Sequence, residues 1–189
     1  MSACYHKHFD VIYSCMSAAL RLEDTVPEAD FWHTYGIPDG TRIAIFQGSM
    51  TALRNLDNLA RATRYLEDDC RLVVVGGGDY QEKFLHTLEK EGNPERVVMV
   101  GWVNQSELLR FTVNADLGVL PYSAVDEYYS YAVPNKLMEY FEATLPMLYD
   151  VSMKEVSMVA GEHGVGVGED LSDPVKFGQT LNRLLHDEE

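Results

Sequence analysis

Arg71-Leu72-Val73-Val74-Val75-Gly76-Gly77-Gly78-Asp79 sets the architecture expected of the whole chain. A continuous apolar run, rich in valine and closed by glycines, reads as a strand covered on both faces. Residues 80–91 then have the pattern of a helix, stopped by Gly92. The same alternation extends in both directions. Upstream, Ile43-Ala44-Ile45-Phe46 is a strand and 52–66 an amphipathic helix. Downstream come a strand at 96–100, a short helix at 105–113, a strand at 116–120 and a helix at 134–143. A strand at 147–149, a helix at 154–160, a weak strand at 165–167 and a last helix at 174–185 complete the pattern. Strands alternating with helices imply βαβ units. Right-handed crossovers then build an α/β fold, a Rossmann-like doubly wound parallel sheet of about six strands over residues 41–189. Residues 1–40 differ. They read as an N-terminal arm or linker remnant, with one strand at 9–13 and a helical turn around Phe31 to Tyr35.

Composition limits the partners. The chain has 189 residues, 46% of them hydrophobic, which suits one soluble domain. Its net charge of −15 repels nucleic acid and anionic membrane surfaces. No apolar run approaches a membrane span. The first ten residues lack a secretion signal, so a cytoplasmic location is expected, with membrane association of a whole enzyme left open. Cys4, Cys15 and Cys70 are scattered and read as unpaired thiols. Glu67-Asp68-Asp69 reads as a solvated acidic turn. The six histidines show no metal-ligand spacing apart from His6-x-His8. No metal or other cofactor is expected.

In a doubly wound sheet, ligands bind beyond the C-terminal ends of the strands. The first such loop is Gln47-Gly48-Ser49-Met50-Thr51, followed by Arg54, whose guanidinium suits a phosphate. A tight turn with a solvated arginine is the plainer alternative. Gly76-Gly77-Gly78 follows the second strand. A dinucleotide fingerprint needs glycine at 81, where Gln81 stands, so close ligand approach or simple turn geometry remain. Gly101-Trp102-Val103 follows the third strand and could offer backbone and an aromatic wall to a base, though by itself a turn with an aromatic packed under it is the plainer reading. Asp126-Glu127-Tyr128-Tyr129-Ser130-Tyr131 supplies carboxylates, hydroxyls and rings suited to a sugar, or to packing. Pro134 opens a helix whose N–H groups at Asn135 to Leu137 form an anion site, and Lys136 adds charge. Glu139, three positions on, falls on a neighbouring face, where a plain salt bridge with Lys136 is the alternative.

Taken in order, these loops resemble the C-terminal domain of GT-B glycosyltransferases, in particular the large retaining family 4. Tyr35-Gly36-Ile37-Pro38-Asp39 resembles the lead-in to the first strand. The stretch 46–56 is similar to the family's Gly-Arg…Lys-Gly loop. Residues 72–78, 98–103 and 116–121 resemble its next three strand ends. Residues 134–146 resemble its Pro-Asn-Lys-Leu-x-Glu-Tyr variant, found among surface-polysaccharide transferases. The resemblance implies binding of a nucleoside diphosphate sugar and transfer of a hexosyl group, with retention, to a glycan or lipid-linked acceptor. It implies that Arg54 and Lys136 stabilise the leaving diphosphate, with no metal required. It also implies that Glu139 holds ribose hydroxyls, and that the backbone at 135–137 meets diphosphate and that near Trp102 and Val103 the base. Ser49 stands where the family has Arg. Tyr131 stands where the first Glu of its Glu-x7-Glu pattern belongs, so Asp126 or Glu127 is the expected replacement. The family's N-terminal acceptor-binding domain is not within these residues. A donor-binding half, inactive alone, is therefore expected. A nucleotide-sugar epimerase half and a non-catalytic nucleotide-binding module are the alternatives.

Overall fold

The computed structural model describes residues 26–187. The strand expected at 9–13 lies outside them. A single parallel sheet contains β1 (Arg42–Gln47), β2 (Cys70–Val75), β3 (Val97–Gly101), β4 (Leu117–Leu120), β5 (Met147–Asp150) and β6 (Gly166–Glu169). Their order is β3-β2-β1-β4-β5-β6, so the chain reverses its direction of progress between β1 and β4. β1 pairs with β2 over its whole length, from Arg42 opposite Cys70 to Gln47 opposite Val75. With β4 it pairs only at Ala44–Leu117 and Ile45–Gly118. That short pairing opens a crevice at the carboxyl ends.

Helices α1 (Leu56–Ala62), α2 (Gln81–Glu91), α3 (Gln105–Val113), α4 (Glu127–Ser130), α5 (Asn135–Glu142), α6 (Lys154–His163) and α7 (Pro174–Leu185) flank the sheet. Ile43–Gln47 of β1, Leu72–Val75 of β2 and all of β4 are buried, as continuous apolar strands require. The sequence pattern predicts one helix over 52–66, but the structure breaks it. A 3-10 turn at Ala52–Arg54 ends on Asn55 in the left-handed conformation (φ 52°), and α1 starts only at Leu56. Asparagine tolerates that region better than other non-glycine residues. Leu53 leaves the buried face in consequence and is exposed.

Part of the segment read as an arm falls within the described residues. Phe31 and Ile37 are buried, and Phe31 meets Phe111 of α3 edge-to-face, with ring centroids 5.1 Å apart. The Glu67-Asp68-Asp69 stretch is a turn before β2, as its composition suggests. Among the described residues, no helix is long and apolar enough to cross a membrane.

Tyr140 shows why α5 sits where it does. It is the largest fully buried side chain. Its hydroxyl donates to the Ile45 carbonyl of β1 at 3.1 Å, and its ring lies over Gly118 of β4. A Cβ on Gly118 would come within 2.7 Å of that ring. The tyrosine therefore pins α5 across the β1–β4 switch point and delivers the helix N-terminus to the crevice. Burial raises the Tyr140 phenol well above its ordinary range, so it stays a neutral donor.

Candidate functional site

A cleft of about 540 Å³ occupies the carboxyl ends of the strands. The loop after β1 contributes Gly48, Ser49, Thr51, Leu53 and Arg54, and the loop after β3 contributes Trp102. Tyr122 and Ser123 follow the end of β4, and Tyr129, Ala132, Val133 and Pro134 lead to Asn135 and Lys136 at the start of α5. These elements are adjacent only because the sheet order puts β1 beside β4.

The floor is polar and ordered. The Lys136 ammonium donates to both carboxylate oxygens of Glu139, at 2.8 and 2.7 Å. Gln47, buried at the end of β1, donates its amide to Glu139 Oε2 at 2.6 Å. Its Oε1 accepts from the Thr112 hydroxyl at 2.9 Å. A buried carboxylate is stable only when paired and hydrogen-bonded, and this chain supplies both. Glu139 is 6% exposed and lies beneath the cleft rather than on its wall. The pair is formally neutral, so Lys136 brings less net charge than its sequence position suggests.

Arg54 is the contrasting cation. Its guanidinium carbon lies 4.0 Å from the centre of the Tyr122 ring, and its buried Nε has no hydrogen-bond partner among the described residues. An unsatisfied donor on a charged group is costly unless a ligand meets it. Burial raises the Tyr122 phenol, with Glu139 adding to the effect and Arg54 opposing it. The Tyr122 ring therefore presents a neutral face to Arg54.

The opening of α5 is the third feature. Pro134 is its N-cap and makes no side-chain capping bond. The N–H of Leu137 is spent on the Pro134 carbonyl at 3.0 Å, and its side chain is buried. The N–H groups of Asn135 and Lys136 have no intrahelical acceptor, and the macrodipole adds partial positive charge there. Asn135 and Lys136 both line the cleft.

The sequence-predicted residues thus divide. Gly48, Ser49, Arg54, Trp102, Asn135 and Lys136 are brought together on the cleft wall. Gly76 and Gly78 serve the chain itself. Both have positive φ, and a Cβ on Gly76 would lie 2.1 Å from the Gly48 carbonyl oxygen. One on Gly78 would lie 2.4 Å from that of Met50. The close approach is therefore between the first two loops, which are laced by Gly48 N–H to Val75 O and Met50 N–H to Gly77 O, both 2.8 Å. Val103 lies off the cleft wall. Asp126 caps α4 by accepting from the Tyr129 N–H at 2.9 Å, and Glu127 lies in the first turn of that helix. Tyr131 is exposed under the Lys154 ammonium, which lies 5.3 Å from its ring centre. None of these three lines the cleft. Tyr122, Ser123 and Met153 line it without having been singled out in the sequence. Only Tyr122 carried a local hint, as an aromatic residue directly after the fourth strand.

Comparison with known proteins agrees with this geometry. The model of the family "Glycosyl transferases group 1" matches residues 31–189. An uncharacterised glycosyltransferase of Methanocaldococcus jannaschii is 29% identical over 94 residues, which are 49% of this chain and 24% of that one. The fold is similar to that of WaaG, a glycosyltransferase involved in lipopolysaccharide biosynthesis, with a TM-score of 0.73 and 20% identity. The match covers 98% of this chain and 50% of WaaG. It is also similar to Anabaena HepE, solved in complex with UDP, with a TM-score of 0.70 and 14% identity over 85% of this chain and 43% of that one. The chain thus spans half or less of the length of these relatives. The family match over most of the chain, the six-stranded parallel sheet and the cleft at its switch point lead to one assignment: this chain belongs to the glycosyl transferases group 1 family and has the Rossmann-like fold of a GT-B C-terminal domain.

Proposed function

We propose that the cleft binds a nucleoside diphosphate sugar, as the donor half of a retaining hexosyltransferase whose acceptor is a glycan or lipid-linked saccharide. The observation that carries the reading is Arg54. A half-buried guanidinium on the cleft wall, with an orphaned Nε, sits beside the free N–H groups of α5. Together they present fixed positive potential to one diphosphate-sized volume. The nucleotide bound to HepE, a protein of similar fold, supports the same ligand class.

In this reading the bond between the anomeric carbon and the diphosphate oxygen breaks, and the charge on the departing oxygen is met by Arg54, Lys136 and the helix N-terminus. No metal or other cofactor is required of the cleft. Glu139 holds Lys136 in place. Its Oε1, which accepts only from Lys136 among the described residues, is the atom left to meet a ribose hydroxyl. The exposed indole of Trp102 faces the base. The sugar lies towards Ser49, Thr51 and Tyr129 rather than the carboxylates of Asp126 and Glu127. The acceptor comes from a partner domain, so this chain alone transfers little.

Calorimetric titration with UDP, GDP and ADP, each with and without an attached hexose, tests the proposal. Preference for one base and tighter binding of its sugar form are expected. Binding of nucleotide with indifference to the sugar would favour a non-catalytic nucleotide module, and no binding of any diphosphate would refute the assignment of the cleft.

A further inference from the structure

At the opposite end of the sheet from the cleft, the turn into β2 meets the C-terminal end of α7. Cys70 Sγ lies 3.7 Å from Asp69 Oδ1, and His186 Nε2 lies 3.1 Å from Asp69 Oδ2 and 4.0 Å from Glu67 Oε2. The donor atoms of Asp69, Cys70 and His186 all fall within 4.8 Å of one another. Asp69 and His186 are 117 positions apart, so no ligand spacing shows in the sequence.

We propose that Glu67, Asp69, Cys70 and His186 form a binding site for a divalent transition-metal ion of the zinc class, which clips the end of α7 to the start of β2. Three observations carry this. The first is ligand chemistry. One thiol, one imidazole and two carboxylates are the mixed sulfur, nitrogen and oxygen set that zinc takes, whereas calcium and magnesium take oxygen alone. The second is geometry. Around tetrahedral zinc, with bonds of about 2.0–2.3 Å, neighbouring ligand atoms stand roughly 3.3–3.6 Å apart. The observed 3.1 and 3.7 Å, to the two oxygens of the Asp69 carboxylate, lie near that value, and Glu67, 4.0 Å from His186 Nε2, stands at the edge of the group and would swing in as the fourth ligand.

The third is the way the ligands are held from outside. His186 Nδ1 lies 2.8 Å from the Asn182 carbonyl oxygen, which can only accept, so Nδ1 carries a proton. Without metal, Nε2 donates to Asp69 Oδ2 at 3.1 Å; a bound ion would take the place of that proton while the Nδ1–H stays on the Asn182 carbonyl. Metal-bound histidines are oriented in the same way by a backbone carbonyl. The side chain of Asn182 also accepts from the Glu67 N–H at 3.1 Å and donates to the Tyr65 carbonyl at 2.8 Å. One residue therefore holds both arms of the site.

The test uses the 189-residue chain, stripped of metal. Cys4→Ser and Cys15→Ser leave Cys70 as the single thiol, and His6→Ala and His8→Ala remove the His-x-His pair. Zinc is titrated calorimetrically, and cobalt(II) is followed by the near-ultraviolet thiolate-to-metal charge-transfer band. The expected result is one ion per chain, a charge-transfer band that Cys70→Ser abolishes, and at least about tenfold weaker zinc binding in His186→Gln and in Asp69→Asn. Cys70 is buried, so its variant is checked by circular dichroism; the other two substitutions lie at solvent-accessible positions and keep the test open if Cys70→Ser does not fold. Absence of the band in the parent, or zinc affinity in His186→Gln and Asp69→Asn within twofold of the parent, overturns the site.

Discussion

Arg54→Ala isolates the cation on which donor binding depends. Hydrogen bonds to a charged group contribute about 1.5–3 kcal/mol each, against about 0.5–1.5 for neutral pairs. Arg54 makes no ion pair among the described residues that binding must first break, and its Nε–H is already buried and unsatisfied. Its bond to a phosphate oxygen therefore gives up neither a protein partner nor full hydration. Losing one such bond raises Kd by roughly 10–150-fold at 25 °C. The stacking on Tyr122 at 4.0 Å is lost as well. A cation–π contact contributes about 0.5–2 kcal/mol, and each kcal/mol moves the melting temperature of a domain this size by about 2–4 °C. Affinity should therefore fall far more than stability. Arg54→Lys keeps the charge but not the planar fork, so its Kd should lie between the two. The assay is calorimetry with UDP at low and high salt, beside circular dichroism melts. If Arg54→Ala folds normally and binds UDP within twofold of the parent, the phosphate role and the argument from the orphaned Nε both fail.

Three further outcomes are expected. Glu139→Gln strands the Lys136 ammonium; because Lys136 is partly exposed, the cost should be about 2 kcal/mol rather than the 3–5 of a fully buried break, a fall of roughly 4–8 °C by calorimetry. An unchanged melting temperature would show that the pair contributes nothing to the fold. Gly76→Ala should disrupt the first loop, since backbone must move by over an ångström to clear the Gly48 oxygen; thermal melts should fall, and UDP affinity should fall with them. Retention of both would contradict the loop contact. Asp57 tests the pH response. Burial works to raise its carboxyl, but hydrogen bonds from Lys83 and Tyr80 outweigh it and hold the group below 3.8. Its folded value lies below its unfolded one, so its contribution is fully present above about pH 3.8 and is lost as pH falls through the folded value. Urea titrations of Asp57→Asn should show a shallower loss of stability below pH 4, and a slope identical to the parent's would remove Asp57 from the account.

Local pattern carried most of the architecture. Val73-Val74-Val75 ahead of three glycines, and its echo at β1, specify strand, turn and helix, because burial on both faces demands uninterrupted apolar residues. The start of α5 at Pro134 was legible for another reason, its fixed φ suiting a helix opening, whereas the burial of Tyr140 was not. The break at Asn55 was not, because one residue in the left-handed region leaves the apolar periodicity around it nearly intact. The one-turn helix α4 was not either, since four residues are too few to show a period.

The amino-acid sequence by itself determined the parallel α/β layering, the family and the loops from which the cleft is drawn. The tertiary structure alone decided what each polar group does. Gln47 meets Glu139 across 92 positions, and His186 meets Asp69 across 117. Asp126 is consumed by capping a helix, and Gly76 by the neighbouring loop. The physical reason is range. Strand and helix preferences arise from neighbouring residues, whereas a side chain's partner is set by the sheet order and by which buried charge must be neutralised where the chain returns.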